Sequence, residues 1–289
     1  MLIDIRHEIR YVYGRPVFVE PLTVRLTPRS DAAQRLLSFS MRVDPDPSGL
    51  TRTTEHDGVE ASMLWFDGAH PSLRIEARSR VRTDRDNPFD WIITDDGAAS
   101  LPASYKAAQA AALAPMLAPV EDENGDEVVR WAERLADQSE RSPAAFLNLL
   151  TETIHAEWAM IGREDGDPFA PSHSLEQKRG ACRDVTMLFV AACRSQGLAA
   201  RFVSGYSVHH PPETVRQELH AWAEVYLPGA GWRGYDPSLG LAVADGHVAL
   251  CSAPDHRLAA PVSGSYRGTG VASTIEYDID LRVVDEGSA

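Results

Sequence analysis

The spacing of apolar residues changes along the chain, and this change limits the folds that the chain can adopt. Apolar and polar residues alternate from Ile3 to Tyr13, which is typical of a strand with one buried face. Further short runs of this kind continue to Val81, separated by turn clusters. From Asp126 onward the apolar residues recur at helical spacing, and Ser142 followed by proline is typical of a helix start.

These patterns predict an α+β protein with two folded parts. Residues 1–98 are expected to form an antiparallel β-sandwich, because several short strands separated by turns favour that architecture. Residues 99–125 form an alanine- and proline-containing connector. Residues 126–289 are expected to form a second domain that contains helices.

The composition limits the classes of partner and compartment. The 289 residues carry a net charge of −14, whereas nucleic-acid and anionic-membrane binders need clustered basic residues, so we expect neither partner. No window approaches the roughly 20 apolar residues of a membrane span, and the first residues are charged where a signal peptide is apolar. Three cysteines are too few for a disulfide framework, so a reducing compartment, the cytoplasm, is expected.

Cys182 is the first candidate for a catalytic residue. It follows Gly180 and precedes an apolar helical face at Val185, Leu188 and Phe189, so it is predicted to lie in the first turn of a core-facing helix. A helix N-terminus lowers the pKa of a thiol, and its free N–H groups can stabilise an oxyanion. Most free cysteines are packed residues, however, so this position alone is weak evidence of catalysis.

The other two cysteines are interpreted as packing residues. Cys193 lies about 16 Å further along the same predicted helix, at about 1.5 Å per residue, which is too far for a disulfide with Cys182. Cys251 has no neighbouring base or metal ligand in the sequence. Both are expected to be small buried apolar residues.

His220 and Asp236 are predicted to meet at the open end of a β-hairpin. The residues after His220 alternate with a period of two up to a Pro-Gly turn, and a second strand follows. If the turn pairs Tyr226 with Trp232, then Asp236 lies opposite Trp222 and within diagonal reach of His220. A thiol, an imidazole and a carboxylate together form a nucleophile, a base and an orienting group.

Four motifs occur in order along the second half: Gly180-Ala-Cys-Arg-Asp184, Ala200-Arg-Phe-Val-Ser-Gly-Tyr206, His220-Ala-Trp-Ala-Glu-Val-Tyr226 and Gly231-Trp-Arg-Gly-Tyr-Asp-Pro237. This combination resembles the transglutaminase-like superfamily and is most similar to its bacterial branch with a papain-like core. The segments His7-Glu-Ile-Arg-Tyr-Val-Tyr13 and Leu26-Thr-Pro-Arg29 resemble the β-domain that precedes this core. Ala181 and Ser238 stand where the family often has valine and threonine, which are mild departures.

The resemblance implies that Cys182 is the nucleophile, His220 the base and Asp236 the third member of a triad. An aromatic donor to the oxyanion occurs in parts of the family. Trp158 is a candidate for it, although a core position on the preceding helix explains this residue equally well. Tyr206 is a candidate for the substrate groove, with a packed tyrosine as the simpler interpretation. Asp184 is explained by the helix dipole and receives no catalytic role.

We expect no metal and no cofactor. His209, His210, Glu213 and His220 can be drawn as a metal site, but their spacing matches no zinc pattern and a surface loop is favoured. The acidic segment 121–127 does not fit a calcium loop, because Val120 occupies the position of the first carboxylate. A solvated acidic helix start explains this segment better.

The predicted function is cysteine-dependent acyl transfer at an amide or peptide bond of a protein or peptide substrate. Water or an amine can resolve the acyl-enzyme, and hydrolysis is favoured by the resemblance and by the failed calcium pattern. The alternatives are a protein-glutamine cross-linking enzyme and a non-catalytic binding module on the same fold. The sequence does not indicate the oligomeric state.

Overall fold

A computed structural model describes residues 1–55, 58–163, 166–209 and 217–284 of the chain. The strands are β1 (Leu2–Val19), β2 (Leu22–Val24), β3 (Gln34–Asp44), β4 (Gly49–Thr54), β5 (Glu60–Trp65), β6 (His70–Thr83), β7 (Ala159–Met160), β8 (Arg179–Gly180), β9 (Ala200–Ser207), β10 (His220–Leu227), β11 (Gly231–Asp236), β12 (Leu241–Ala242), β13 (His247–Ala253), β14 (Val262–Ser263), β15 (Tyr266–Arg267) and β16 (Ser273–Val284). The helices are α1 (Ala107–Leu117), α2 (Gly125–Gln138), α3 (Pro143–Glu157), α4 (Pro171–Gln177) and α5 (Cys182–Ser195), with short 3₁₀ helices at Asp96–Ala98 and His256–Ala259.

The N-terminal part consists of two antiparallel sheets that share one apolar core. The first has the order β15-β1-β6-β3, with β16 also beside β1, and the second has the order β14-β2-β5-β4. Ile3 and Ile75 from the first sheet and Val24 and Leu64 from the second are buried in the same cluster. The prediction of an antiparallel β-sandwich is therefore confirmed.

The C-terminal strand returns to the N-terminal sheet. β16 pairs with β1 along its whole length, from Leu2 opposite Val284 to Tyr13 opposite Ser273. Residues 273–284 fall within the predicted second domain, yet they pair with the first sheet. Strand pairing over such a distance leaves no local signal, because alternation predicts a strand but not its partner. The boundaries at residues 98 and 126 stay a prediction.

The second part packs helices against the antiparallel sheet β12-β11-β10-β9-β13. Its core joins Phe146 of α3, Leu188 of α5 and Val225 of β10. The predicted start of α3 is confirmed, since the Ser142 hydroxyl accepts a hydrogen bond from the Ala145 N–H and proline follows at the first helical position. The α+β class is confirmed.

Helix α5 lies at the centre of this core and determines the position of Cys182. Its buried residues include Val185, Leu188 and Phe189, and the Phe189 ring stacks on Tyr235 of β11 with centroids 5.9 Å apart. The helix ends before Gly197, which has a φ of +73° and where a Cβ would come within 2.2 Å of the Ala103 carbonyl oxygen. Only glycine tolerates both conditions.

Among the described residues, none of the helices is both long enough and apolar enough to cross a bilayer.

Candidate active site

Cys182 lies in the first turn of α5, as predicted, and its side chain is partly exposed. The turn before it is fixed by Asp184, whose Oδ2 accepts a hydrogen bond from the Ala181 N–H at 2.7 Å. Gly180 is needed there, because a Cβ at this position would approach the Cβ of Asp184 to 2.8 Å. The local sequence therefore determines where the helix starts and where the thiol lies.

Asp184 also connects this helix to the preceding loop. Its Oδ1 accepts hydrogen bonds from the Arg163 guanidinium at 2.7 Å and from the Phe169 N–H at 2.8 Å. The side chain is fully buried, so the carboxylate has a structural partner for each oxygen. The dipole explanation given by the sequence was incomplete, because it did not include this contact with Arg163.

The β10–β11 hairpin has the predicted register. Tyr226 lies opposite Trp232, and this pairing brings His220 and Asp236 together at the open end. The Nε2 of His220 lies 2.6 Å from the Oδ2 of Asp236. The predicted contact between the imidazole and the carboxylate is thus present in the structure.

The Asp236 carboxylate is completely buried and is surrounded by hydrogen-bond donors. Its Oδ1 accepts bonds from the hydroxyl of Ser238 at 2.6 Å and from the N–H groups of Ser238 and Leu239 at 3.1 Å each. Its Oδ2 contacts the Nε2 atoms of His220 at 2.6 Å and of His247 at 2.9 Å. Burial would raise the pKa of Asp236, but the two histidines outweigh it, so the pKa is far below its usual value.

His247 is a neighbour of Asp236 that the sequence motifs do not predict. This residue opens β13, which pairs with β9 so that His247 lies opposite Ser207. Neither motif spacing nor hairpin register links it to Asp236, because the two residues lie on strands that are not adjacent in the sheet. The only available signal was a histidine at the start of an apolar run.

His220 and Cys182 line the same groove, which has a volume of about 380 Å³. Burial alone would lower the pKa of His220. The charge of Asp236, the hydrogen bond to it and the interaction with Cys182 outweigh burial, so this pKa is raised well above its usual value. The structure therefore brings the three predicted residues together.

The N-terminal sheet contributes one wall of this groove. The wall residues come from β1 and β16 and are His7, Ile9, Tyr11, Ile275 and Tyr277. His7 is buried, and its Nδ1 lies 2.9 Å from the hydroxyl oxygen of Tyr206 on β9. The groove thus lies between the first sheet and the helix-containing core.

The two further aromatic candidates do not line the groove. Trp158 ends α3 in the core, and its indole N–H donates to the Ser174 carbonyl at 2.8 Å. This bond uses the donor that an oxyanion would need, so the core interpretation replaces the catalytic one. Tyr206 is only 2% exposed and bonds His7, so it is a packed tyrosine and not a groove residue.

The remaining cysteines are packed as predicted. Cys193 is fully buried, and burial raises its pKa well above the usual value. Cys251 is also buried, with its sulfur 3.2 Å from the Ala259 carbonyl oxygen. Cys182 is the partly exposed member of the three.

His220, Asp236 and His247 could in principle hold a metal ion, since their nearest ligand atoms lie within 4.8 Å of one another. Two ligands of a tetrahedral zinc ion, each about 2.0 Å from it, are about 3.3 Å apart. The nitrogen–oxygen distances here are 2.6 and 2.9 Å, which fit direct hydrogen bonds and leave no room for an ion between them. The sequence favours a surface loop over a metal site for His209, His210, Glu213 and His220, and of these His210 and Glu213 lie outside the described residues.

Comparison with known proteins finds matches to two parts of the chain. Residues 3–82 match the bacterial transglutaminase-like N-terminal region, and residues 130–237 match the transglutaminase-like superfamily. The chain belongs to the transglutaminase-like superfamily. The second matched range contains Cys182, His220 and Asp236, whereas His247 lies beyond it.

Relatives that align with nearly the whole chain occur in mycobacteria. An uncharacterized protein of Mycobacterium tuberculosis is 26% identical, and the alignment covers 99% of this chain and 93% of the relative. An uncharacterized protein of Mycobacterium leprae is also 26% identical, with 96% and 95% covered.

A solved structure shares the fold of this superfamily member. A protein from Cytophaga hutchinsonii, described as a proposed cysteine protease, superimposes with a TM-score of 0.72. The alignment covers 99% of this chain and 92% of that protein at 19% identity, so the likeness extends over both parts of the fold.

Proposed function

We propose that this protein is a cysteine-dependent acyl-transfer enzyme that hydrolyses amide bonds in peptide or protein substrates. The observation that carries the proposal is the juxtaposition of a helix-start thiol, Cys182, with a histidine that is hydrogen-bonded to a buried carboxylate. Such a set provides a nucleophile, a proton carrier and an orienting anion. Membership of the superfamily supports this assignment.

The contact with Asp236 supports different roles for the two ring nitrogens of His220. An ionised carboxylate only accepts hydrogen bonds, so His220 donates its Nε2–H to Asp236. Its Nδ1 is then the nitrogen that exchanges a proton with the Cys182 thiol. Because the Asp236 carboxylate stabilises the imidazolium, His220 can hold the proton until the leaving amine needs it.

Each step of the proposed reaction uses a group that lies in the groove. The Cys182 thiolate attacks the carbonyl carbon, and the oxyanion forms near the N-terminus of α5, where backbone N–H groups and the helix dipole favour negative charge. His220 protonates the departing amine as the carbon–nitrogen bond breaks and leaves an acyl-enzyme. It then takes a proton from water, which attacks the thioester and releases the acid and Cys182.

The groove supports a peptide as the substrate. Apolar side chains from three elements line it, including Ile9 of β1, Phe202 of β9 and Ile275 of β16. Such a surface can bind apolar side chains next to the bond that is cleaved. None of the three cysteines, all of which lie in the described residues, forms a disulfide. This supports a reducing compartment, in which the thiol stays available, and we propose the cytoplasm.

A peptide library with a labelled primary amine tests the proposed reaction. We expect cleavage by the wild type, none by Cys182→Ala, and cleavage close to wild type by the matched control Cys251→Ala. Amine incorporation that depends on Cys182 would instead assign a cross-linking enzyme. Neither product from any library member would favour the non-catalytic binding module.

Alkylation tests the thiol independently of a substrate. Iodoacetamide should modify Cys182 at least about tenfold faster than Cys193 or Cys251 near neutral pH, because the latter two are buried. Peptide mapping by mass spectrometry measures the three rates. Equal rates at all three positions would contradict an activated thiol at Cys182.

A further inference from the structure

We propose that His247 is a positioning residue that shares the Oδ2 of Asp236 with His220 and so limits how tightly the carboxylate holds the catalytic imidazole. This inference rests on the proposed function, since it concerns the same histidine. It assigns a second histidine to a site for which the motifs predict only one.

The first support is the geometry at one oxygen atom. The Nε2 of His247 lies 2.9 Å from the Oδ2 of Asp236, and the Nε2 of His220 lies 2.6 Å from the same atom. Because the ionised carboxylate only accepts, both histidines must donate Nε2–H, which fixes the tautomer of each neutral ring. Two donors therefore compete for the charge on a single oxygen.

The second support is the packing of the His247 ring. The residue is 4% exposed, and its ring makes an edge contact with Trp222 at a centroid distance of 5.1 Å. The antiparallel pairing with β9 holds its backbone opposite Ser207. Within the described residues, its Nδ1 is buried without a hydrogen-bond partner, so the contact with Asp236 is the polar contact that orients the ring.

The third support is the charge state of His247. The titratable groups that face His247 are Asp236, His220 and His209. Burial lowers the pKa of His247, and the two histidines act in the same direction, whereas Asp236 opposes them without overcoming them. His247 is therefore a neutral donor near pH 7, and it weakens the pull of Asp236 on His220 without adding a second cation.

The contact between His247 and Asp236 should affect the pH at which His220 loses its proton. His220 faces Asp236, Cys182 and His247. Without the second donor, more of the charge on Oδ2 is available to the imidazolium, and His220 should keep its proton to a higher pH. A group with a higher pKa is a weaker acid toward the leaving amine. The carboxylate would also lose a contact that orients it.

The test compares a donor-free variant with a donor-retaining one. His247→Phe removes the N–H and keeps a ring against Trp222, whereas His247→Gln can place an amide N–H near the former Nε2. Nitrogen NMR of labelled histidines measures the titration of His220 in each protein. The pH profile of kcat/KM gives a second readout on a peptide substrate.

We expect His247→Phe to raise the His220 titration midpoint by about 0.5 to 1 unit. The alkaline limb of kcat/KM should move with it, and kcat should fall about tenfold with KM within about twofold. His247→Gln should recover most of both changes. If His247→Phe does not fold, His247→Met serves as the donor-free variant.

An unchanged His220 midpoint in the donor-free variant would overturn the proposal. So would a His247→Gln variant in which the His220 midpoint shifts as far as it does in His247→Phe. The NMR titration needs no turnover, so the two hypotheses can fail separately. A shifted midpoint in a protein that cleaves no substrate would support the role of His247 and contradict only the proposed hydrolysis.

Discussion

Acid should destabilise this protein partly through one histidine, His7 of β1, which connects the first sheet to β9 in the sheet that carries His220. The residue is 3% exposed, and its Nδ1 contacts the hydroxyl of Tyr206 at 2.9 Å. Burial lowers the pKa of His7 from 6.5 to about 4. Between these values the unfolded chain binds a proton that the folded chain does not bind, so stability is full above pH 6.5 and is lost as the pH falls toward 4.

The size of this loss of stability follows from the pKa shift of His7. Each pKa unit corresponds to about 1.4 kcal/mol, so His7 should remove about 3 kcal/mol from the free energy of unfolding between its two pKa values. His7→Asn abolishes the titration while its amide can still bond the Tyr206 hydroxyl. Urea unfolding measured from about pH 7.5 to about pH 4 should therefore give a shallower loss of stability in the variant.

A matched control separates this effect from the simple loss of a histidine. His173 is exposed, and His173→Asn should follow the pH dependence of the wild type. Other acid-sensitive groups act equally in all three proteins and cancel in the comparison. If His7→Asn loses as much stability as the wild type over this range, the burial argument for His7 is wrong.

Two further predictions concern contacts between the two parts of the fold. Glu224→Gln should cost about 3–5 kcal/mol in urea unfolding, because it breaks a buried ion pair; Glu224 is 5% exposed, and the side chains of Arg29 and Arg201 bind it. The exposed pair partner Glu276 provides a control, and Glu276→Gln should cost less than about 1 kcal/mol. Ile275→Asp should raise KM for peptides about tenfold with little change in kcat, because Ile275 lines the groove. Val283 lies on the same strand with the same 54% exposure but away from the groove, so Val283→Asp should leave KM unchanged; equal effects would contradict a role of β16 in binding.

The parts of the site that the sequence predicted are those determined by neighbouring residues. Hairpin register depends on the turn and on alternation, so the contact between His220 and Asp236 followed from the pairing of Tyr226 with Trp232. Helix starts depend on residues within one turn, so the place of Cys182 followed from the apolar face of α5. The family resemblance then ordered these local features into one site.

The parts that were missed depend on contacts between distant segments. His247 reaches Asp236 through the pairing of β13 with β9, and periodicity does not identify the partner of a strand. The same reason hides the pairing of β16 with β1. Trp158 was ambiguous because an indole on an apolar helix face can point to a site or to a core carbonyl. Its bond to Ser174 follows from the position of α4, which the sequence did not predict.

These distant contacts also bear on the role of the N-terminal sheets. The side-chain amide of Gln34 donates to the Ala249 carbonyl at 2.9 Å and accepts from the Ala249 N–H at 2.7 Å. It therefore pairs with the backbone of β13 as a neighbouring strand would. Arg29 neutralises Glu224 on the face that carries His220. The N-terminal part therefore supports β10, the strand that carries His220, and also forms one wall of the groove. A change in this part should affect the proposed chemistry through the positions of β10 and β13, even though none of its residues belongs to the proposed triad.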